Sequence, residues 1–165
     1  MNANSVDLET RAAASDHGPL KLWLRLLTCT NLVEQSIRAR LRTDFASTLP
    51  RFDLLAQLER TESGLRMSEL SRQMMVTGGN ITALTEQLEQ EGFIERATDP
   101  EDRRVTKVKL TDSGRTRFTA MAIAHEQWIG ELTNLLGSDD ITTLYELLGN
   151  LKASVNKAAN PPEQG

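Results

Sequence analysis

Between Thr77 and Gly92 the chain carries a helix whose length is set at both ends. Thr77 can cap it, and Ile81, Leu84 and Leu88 recur at the spacing of one buried helical face. Gly92 takes the position just past the last turn, where left-handed backbone is cheap for glycine, and Phe93 packs back. Upstream, Ser68 suits the N-cap of a shorter helix, with Glu69 at its positive end and Leu70 and Met74 facing inward. Two short helices joined by a few residues that include glycine form a helix–turn–helix. A hairpin follows at once. Phe93 to Arg96 reads as one strand and Val105 to Leu110 as another. In the second, Thr106, Val108 and Leu110 alternate with Val105, Lys107 and Lys109, and the polar loop Asp99-Pro100-Glu101-Asp102-Arg103-Arg104 lies between the strands.

The flanks are helical and long. Leu20, Trp23, Leu24, Leu26 and Leu27, continued by Leu32, Val33, Ile37 and Leu41, give a broad apolar face from Leu20 to about Phe45. Thr48-Leu49-Pro50 opens the next helix, with Phe52, Leu55 and Leu58 inward. After the hairpin, Thr111 caps a helix whose stripe runs through Phe118, Met121, Ala122, His125, Ile129, Leu132 and Leu136 to an end at Gly137. A last helix from Ser138-Asp139-Asp140 carries Ile141, Leu144, Leu148, Leu151 and Val155. These stripes exceed what one small head can bury, so the expected partner is a second copy.

The fold class expected is therefore mainly α. At 165 residues, with 39% hydrophobic, 25% charged and only 4% aromatic residues, leucine and alanine must build most of the core. No run approaches the roughly 18 apolar residues of a membrane span. The first 18 residues lack the apolar stretch of a secretory signal and read as a flexible arm. Cys29 is the only cysteine, so a reducing cytoplasm is the default location. The net charge of −4 argues mildly against nucleic acid, yet Arg103 to Arg117 holds six basic residues against one acidic.

Catalytic chemistry finds little support. Hydrolytic or metal sites need convergent His, Cys, Asp or Glu, and the chain has two histidines, His17 and His125, with no HExxH, CxxC or GxxxxGK[ST] pattern. The expectation is no enzyme, no metal and no cofactor. His125 reads as a core or interface residue and Cys29 as a small apolar packing group.

Several segments together resemble the MarR family of regulators: Met67-Ser68-Glu69-Leu70-Ser71, Val76-Thr77-Gly78-Gly79-Asn80-Ile81-Thr82, and Leu88 to Arg96. Asp99 to Arg104, running into Leu110-Thr111-Asp112-Ser113-Gly114, completes the set, and the likeness spans about residues 20–157. It implies a winged helix–turn–helix with a two-stranded β-hairpin wing and N- and C-terminal dimerisation helices. Its parts would be an arm at 1–18, a dimerisation helix at 19–46, a DNA-binding domain at 47–117, dimerisation helices at 118–158 and a disordered tail at 159–165. It further implies a homodimer on a palindromic double-stranded operator, commonly a repressor released by a small aromatic ligand. Within the family the chain resembles regulators of aromatic compound catabolism, which implies an aromatic acid or its CoA thioester as effector. The alternatives are a redox-sensing regulator acting through Cys29, as in some family members, and a protein-interaction module on the same fold.

On that reading the Thr77–Gly92 helix enters a major groove. Thr77, Gly78, Gly79, Asn80, Thr82, Ala83 and Thr85 lie nearest the bases, because asparagine can pair with adenine and a threonine methyl can meet thymine. Glu86 and Glu89 are expected to point away. Ser68, Ser71 and Arg72, and less so Arg51, are phosphate candidates. In the wing, Asp102 would brace Arg104 in a minor groove and Arg103 would meet the backbone. Trp23, Leu27, Phe52, Phe118, Met121, His125 and Trp128 could line an apolar effector pocket. Arg38 and Arg40, with Arg42, form a separate basic cluster on the first helix, ordinarily a solvated face, that could take a phosphate-bearing effector.

Overall fold

A computed structural model describes residues 18–74, 78–99, 102 and 105–159. The elements in chain order are α1 (Gly18–Phe45), α2 (Leu49–Glu59), β1 (Leu65–Arg66), α3 (Met67–Gln73) and α4 (Gly78–Gln90). Then come β2 (Ile94–Thr98), β3 (Thr106–Leu110), α5 (Asp112–Leu132) and α6 (Ser138–Ala159). Two compact units divide within α5, between Glu126 and Gln127.

The first unit holds the helix–turn–helix and its hairpin. β2 and β3 pair antiparallel, from Ile94 opposite Leu110 to Thr98 opposite Thr106. β1 adds to the other side of β3, Leu65 opposite Val108, so the sheet has three strands in the order β1-β3-β2. The sequence reading missed β1, because two residues carry no alternation to detect. Leu41, Leu54, Leu55, Leu58, Leu70, Ile81, Leu88, Ile94, Val108 and Met121 are buried, and leucine dominates as the composition requires.

Two junctions fix the reading unit. α4 ends with Gly92 at φ +75°, the Phe93 N–H donating to Leu88 O (2.9 Å) and the Gly92 N–H to Glu89 O (3.0 Å). These are the paired bonds of a Schellman motif, which satisfy carbonyls that the helix leaves open. The Thr111 hydroxyl accepts from the Gly114 N–H at 3.0 Å, capping α5, and donates to Gly92 O at 2.7 Å. The Thr111 N–H reaches Phe93 O at 3.1 Å. One threonine thus joins the end of α4, the end of the hairpin and the start of α5.

α1 ends differently. Ala46 stands at φ +46°, and the Ser47 N–H donates to Leu41 O at 3.0 Å. The Arg117 guanidinium donates to Phe45 O and lies 5.4 Å from the Phe45 ring centroid and 5.9 Å from that of Phe93.

In the second unit, α5 stops at Leu132 rather than at Gly137. The Thr133 hydroxyl donates to Ile129 O (2.8 Å) and the Leu136 N–H to Thr133 O (2.9 Å), a turn that closes the helix early. The Gly137 N–H bonds Asp140 Oδ2 at 3.2 Å as α6 begins. α6 buries no residue within the chain, and its stripe of Ile141, Leu144, Leu148 and Val155 is exposed.

Candidate nucleic-acid interface

α3 and α4 enclose a cleft of about 600 Å³ lined by Met67, Ser68, Ser71, Arg72, Gly78, Ile81 and Thr82. It gathers five of the residues singled out as DNA contacts. Along α4, Ile81, Thr85 and Leu88 face the core, while Gly78, Gly79, Asn80, Thr82 and Ala83 are exposed. Neither Gly78 nor Gly79 has positive φ, and a Cβ on either would meet nothing within 4 Å. Glycine is a poorer helix former than alanine, by up to about 1 kcal/mol in a helix interior, and these two stand in the first turn. The fold therefore gives no reason for them, whereas close approach by an outside backbone does.

Thr85 is a correction. It is wholly buried, and its hydroxyl donates to Ile81 O and Thr82 O, each at 2.9 Å. One turn after Ile81 and three residues before Leu88, it lies on the core face and cannot touch a base. Ser68 is a second correction. The helix is capped at Arg66, whose N–H donates to Glu69 Oε2 at 2.7 Å, which leaves Ser68 exposed inside the first turn. Thr77, Arg103 and Arg104 lie outside the described residues. Asp102 is exposed, and its carbonyl accepts from the Val105 N–H at 2.9 Å.

The basic run from Arg103 to Arg117 is less free than its charge suggests. Lys107 pairs with the buried Asp99 at 3.0 Å, Lys109 with Glu95 at 2.9 Å, and Arg115 with Glu59 at 2.7 Å. Arg117 is held at Phe45. Four of the six bases therefore serve the fold. Arg51, a phosphate candidate, is also committed: it pairs with Glu91 and so joins the start of α2 to the end of α4.

The residues expected around an effector separate. Phe52 stacks on Phe118 (5.6 Å between centroids) and approaches His125 (5.1 Å), with Met121 buried. Trp128 is buried too. Trp23 and Leu27 are 57% and 37% exposed, so within the chain they stand on the surface instead of lining that cluster. Cys29 is exposed and not a packing group in the chain. Arg40 is half-buried, and Arg38 pairs with Glu34 at 2.8 Å. Arg38 and Arg42 border one hollow of about 480 Å³. Arg38, Phe52, Asp53, Arg60 and Met74 border another of about 470 Å³. Desolvation raises the Asp53 carboxyl above its ordinary pKa; Arg38 and His125 oppose the shift and Glu34 adds to it. Asp53 and Arg60 escaped the sequence reading, since each looks like an ordinary solvated charge.

The family model described as MarR family matches residues 47–106. The solved structure of a MarR family transcriptional regulator from Silicibacter pomeroyi is 30% identical, covers 86% of this chain and 99% of that one, and has a TM-score of 0.73. The chain belongs to the MarR family. MarR-family regulators are DNA-binding proteins without catalytic function, and that is the class of this chain. Among curated relatives, the HTH-type regulator YdgJ of Bacillus subtilis is 27% identical over 106 residues; the match spans 64% of this chain and 64% of YdgJ. Sco3205 of Streptomyces coelicolor, solved in complex with DNA, shares the fold at TM-score 0.72 and 23% identity, over 86% of this chain and 88% of that one. Among the described residues no helix is long and apolar enough to cross a membrane, and no group of three His, Cys, Asp or Glu could hold a metal.

Proposed function

We propose that this MarR-family regulator is a cytoplasmic homodimeric repressor that binds a palindromic operator and is released by a small aromatic acid or its CoA thioester. The observation that carries the DNA reading is the exposed edge of α4, where Gly78 and Gly79 serve no packing purpose beside Asn80, Thr82 and Ala83. Sco3205, of the same fold, was solved bound to DNA. Ser68, Ser71 and Arg72 across the cleft would hold phosphate, and Asp102, Arg103 and Arg104 would form the wing contact. The exposed apolar stripe of α6 supports the dimer.

The effector reading rests on the hollow beside Phe52, which is bordered by the apolar Pro50, Phe52 and Met74 and by Arg38 and Arg60, with Asp53 opposing them in charge. That combination suits an aromatic body with an anionic group. The basic rim at Arg38 and Arg42 would suit the phosphates of a CoA thioester.

Titration of the promoter beside its own gene at several salt concentrations tests the DNA reading. Arg104→Ala should weaken all operators and lower the salt slope by about one unit. Asn80→Ala should change base preference with the slope nearly intact. An Arg104→Ala protein that binds like the parent at every salt would remove the wing from the interface. Phenolic acids and their CoA thioesters that raise the melting temperature but leave operator affinity unchanged would remove the effector coupling.

A further inference from the structure

We propose that Glu86 is a specificity-determining residue of α4, accepting a hydrogen bond from the exocyclic amino group of cytosine or adenine in the major groove. This rests on the reading of α4 as the base-contacting helix. The sequence reading turns Glu86 from the DNA, but the helix periodicity puts it on the outer face of α4. With Ile81, Thr85 and Leu88 on the core, Glu86 falls on the opposite side, four residues after Thr82, three after Ala83 and seven after Gly79. All four are exposed. Only small residues precede the carboxylate along that face, so nothing of α4 stands between it and a groove.

The partners of its neighbours sharpen the point. In the head, Glu59 pairs with Arg115, Glu89 with Arg96, Glu91 with Arg51 and Glu95 with Lys109, and Glu69 accepts from the Arg66 N–H. Among the described residues Glu86 has no such partner, and α4 contains no lysine or arginine to supply one.

A carboxylate on this face is unfavourable for affinity, because it lies near phosphates. It also has no proton to give. Guanine offers N7 and O6, and thymine offers O4 and a methyl, so both leave Glu86 without a donor. Cytosine N4 and adenine N6 donate. Any register without an amino group opposite Glu86 leaves its charge desolvated and unpaired, which is how a residue rejects wrong sites. Glu86 therefore gives up general affinity and gains discrimination.

The test is selection of the full-length protein and its Glu86→Gln and Glu86→Ala variants on randomised duplexes, followed by titration of single-base variants of the preferred site. The parent should prefer cytosine or adenine over guanine and thymine at one position per half-site, by roughly ten-fold or more. Both variants should lose that preference, keep the others and bind random DNA more tightly. The comparison of cytosine with adenine at that position names the base read. If the variants bind more tightly but keep every preference of the parent, Glu86 is only a repulsive charge and the inference fails. If the parent itself selects no sequence, the operator reading falls first.

Discussion

Gly114 lies so close beneath the backbone of Phe93 that a Cβ built on it would stand 1.8 Å from the Phe93 carbonyl oxygen. The glycine is required by contact and not by conformation, for its φ is not positive. That oxygen also accepts from the Thr111 N–H, so it cannot move aside without opening the junction of hairpin and α5. Gly114→Ala should cost about 3 kcal/mol or more, the upper range for overpacking. A urea midpoint equal to the parent's would show that the junction yields.

Ala46 predicts the opposite sign. Left-handed backbone costs an alanine roughly 1–2 kcal/mol, while glycine adds unfolded-state entropy of roughly 0.5–1 kcal/mol. Ala46→Gly should therefore stabilise by up to about 1 kcal/mol, measured by denaturant unfolding. A clear loss of stability would mean that the methyl group packs usefully.

Thr85→Val tests the corrected assignment of that residue. The γ-methyl is kept and a second methyl takes the place of a hydroxyl bonded only within its own helix, so the expected change in stability is about 1 kcal/mol or less. Base preference should remain that of the parent in a selection experiment. A changed preference would put Thr85 back at the DNA.

Asp53 sets a pH dependence. Its folded pKa lies above its unfolded one, so its stability contribution is complete below the unfolded pKa and is lost as pH rises through the folded value. Asp53→Asn should therefore unfold at higher urea than the parent at neutral pH. The gap should narrow as pH falls through the carboxylate range near about pH 4. It should be modest, since the side chain is partly exposed. A gap that widens on acidification would reverse the sign.

Leu144 and Leu148 are 46% and 40% exposed on α6. In a lone chain, changing both to glutamate should cost little, typically within about 0.5 kcal/mol for each surface site. In the proposed homodimer it should abolish dimers in light scattering and remove operator binding. A dimer of unchanged affinity would place the interface elsewhere.

Much of the head was legible because its signals are local. Gly92 announces the end of α4, Thr111 the start of α5, and the alternation around Val108 a buried strand. What escaped depends on partners distant in sequence. Lys107, Lys109 and Arg115 look like a phosphate-binding run until Asp99, Glu95 and Glu59 are placed beside them. Ser68 competes as a cap with an Arg66–Glu69 bond that residue type alone does not rank. Thr85 reads as polar, but its hydroxyl is satisfied by its own helix, so it can be buried at little cost. Leu132 and Leu136 fit one stripe even though the helix turns between them.

The clasp of Gly92, Phe93 and Thr111 fastens both ends of the hairpin at one place. Whatever happens at the tip, the strands must enter and leave there. Insertions or deletions between Asp99 and Val105 can accordingly be absorbed without reorienting α4. Through descent, the reach of the hairpin and the residues that face the bases are then free to vary as separate traits. A lineage could acquire a longer or shorter tip while its reading helix stays in register.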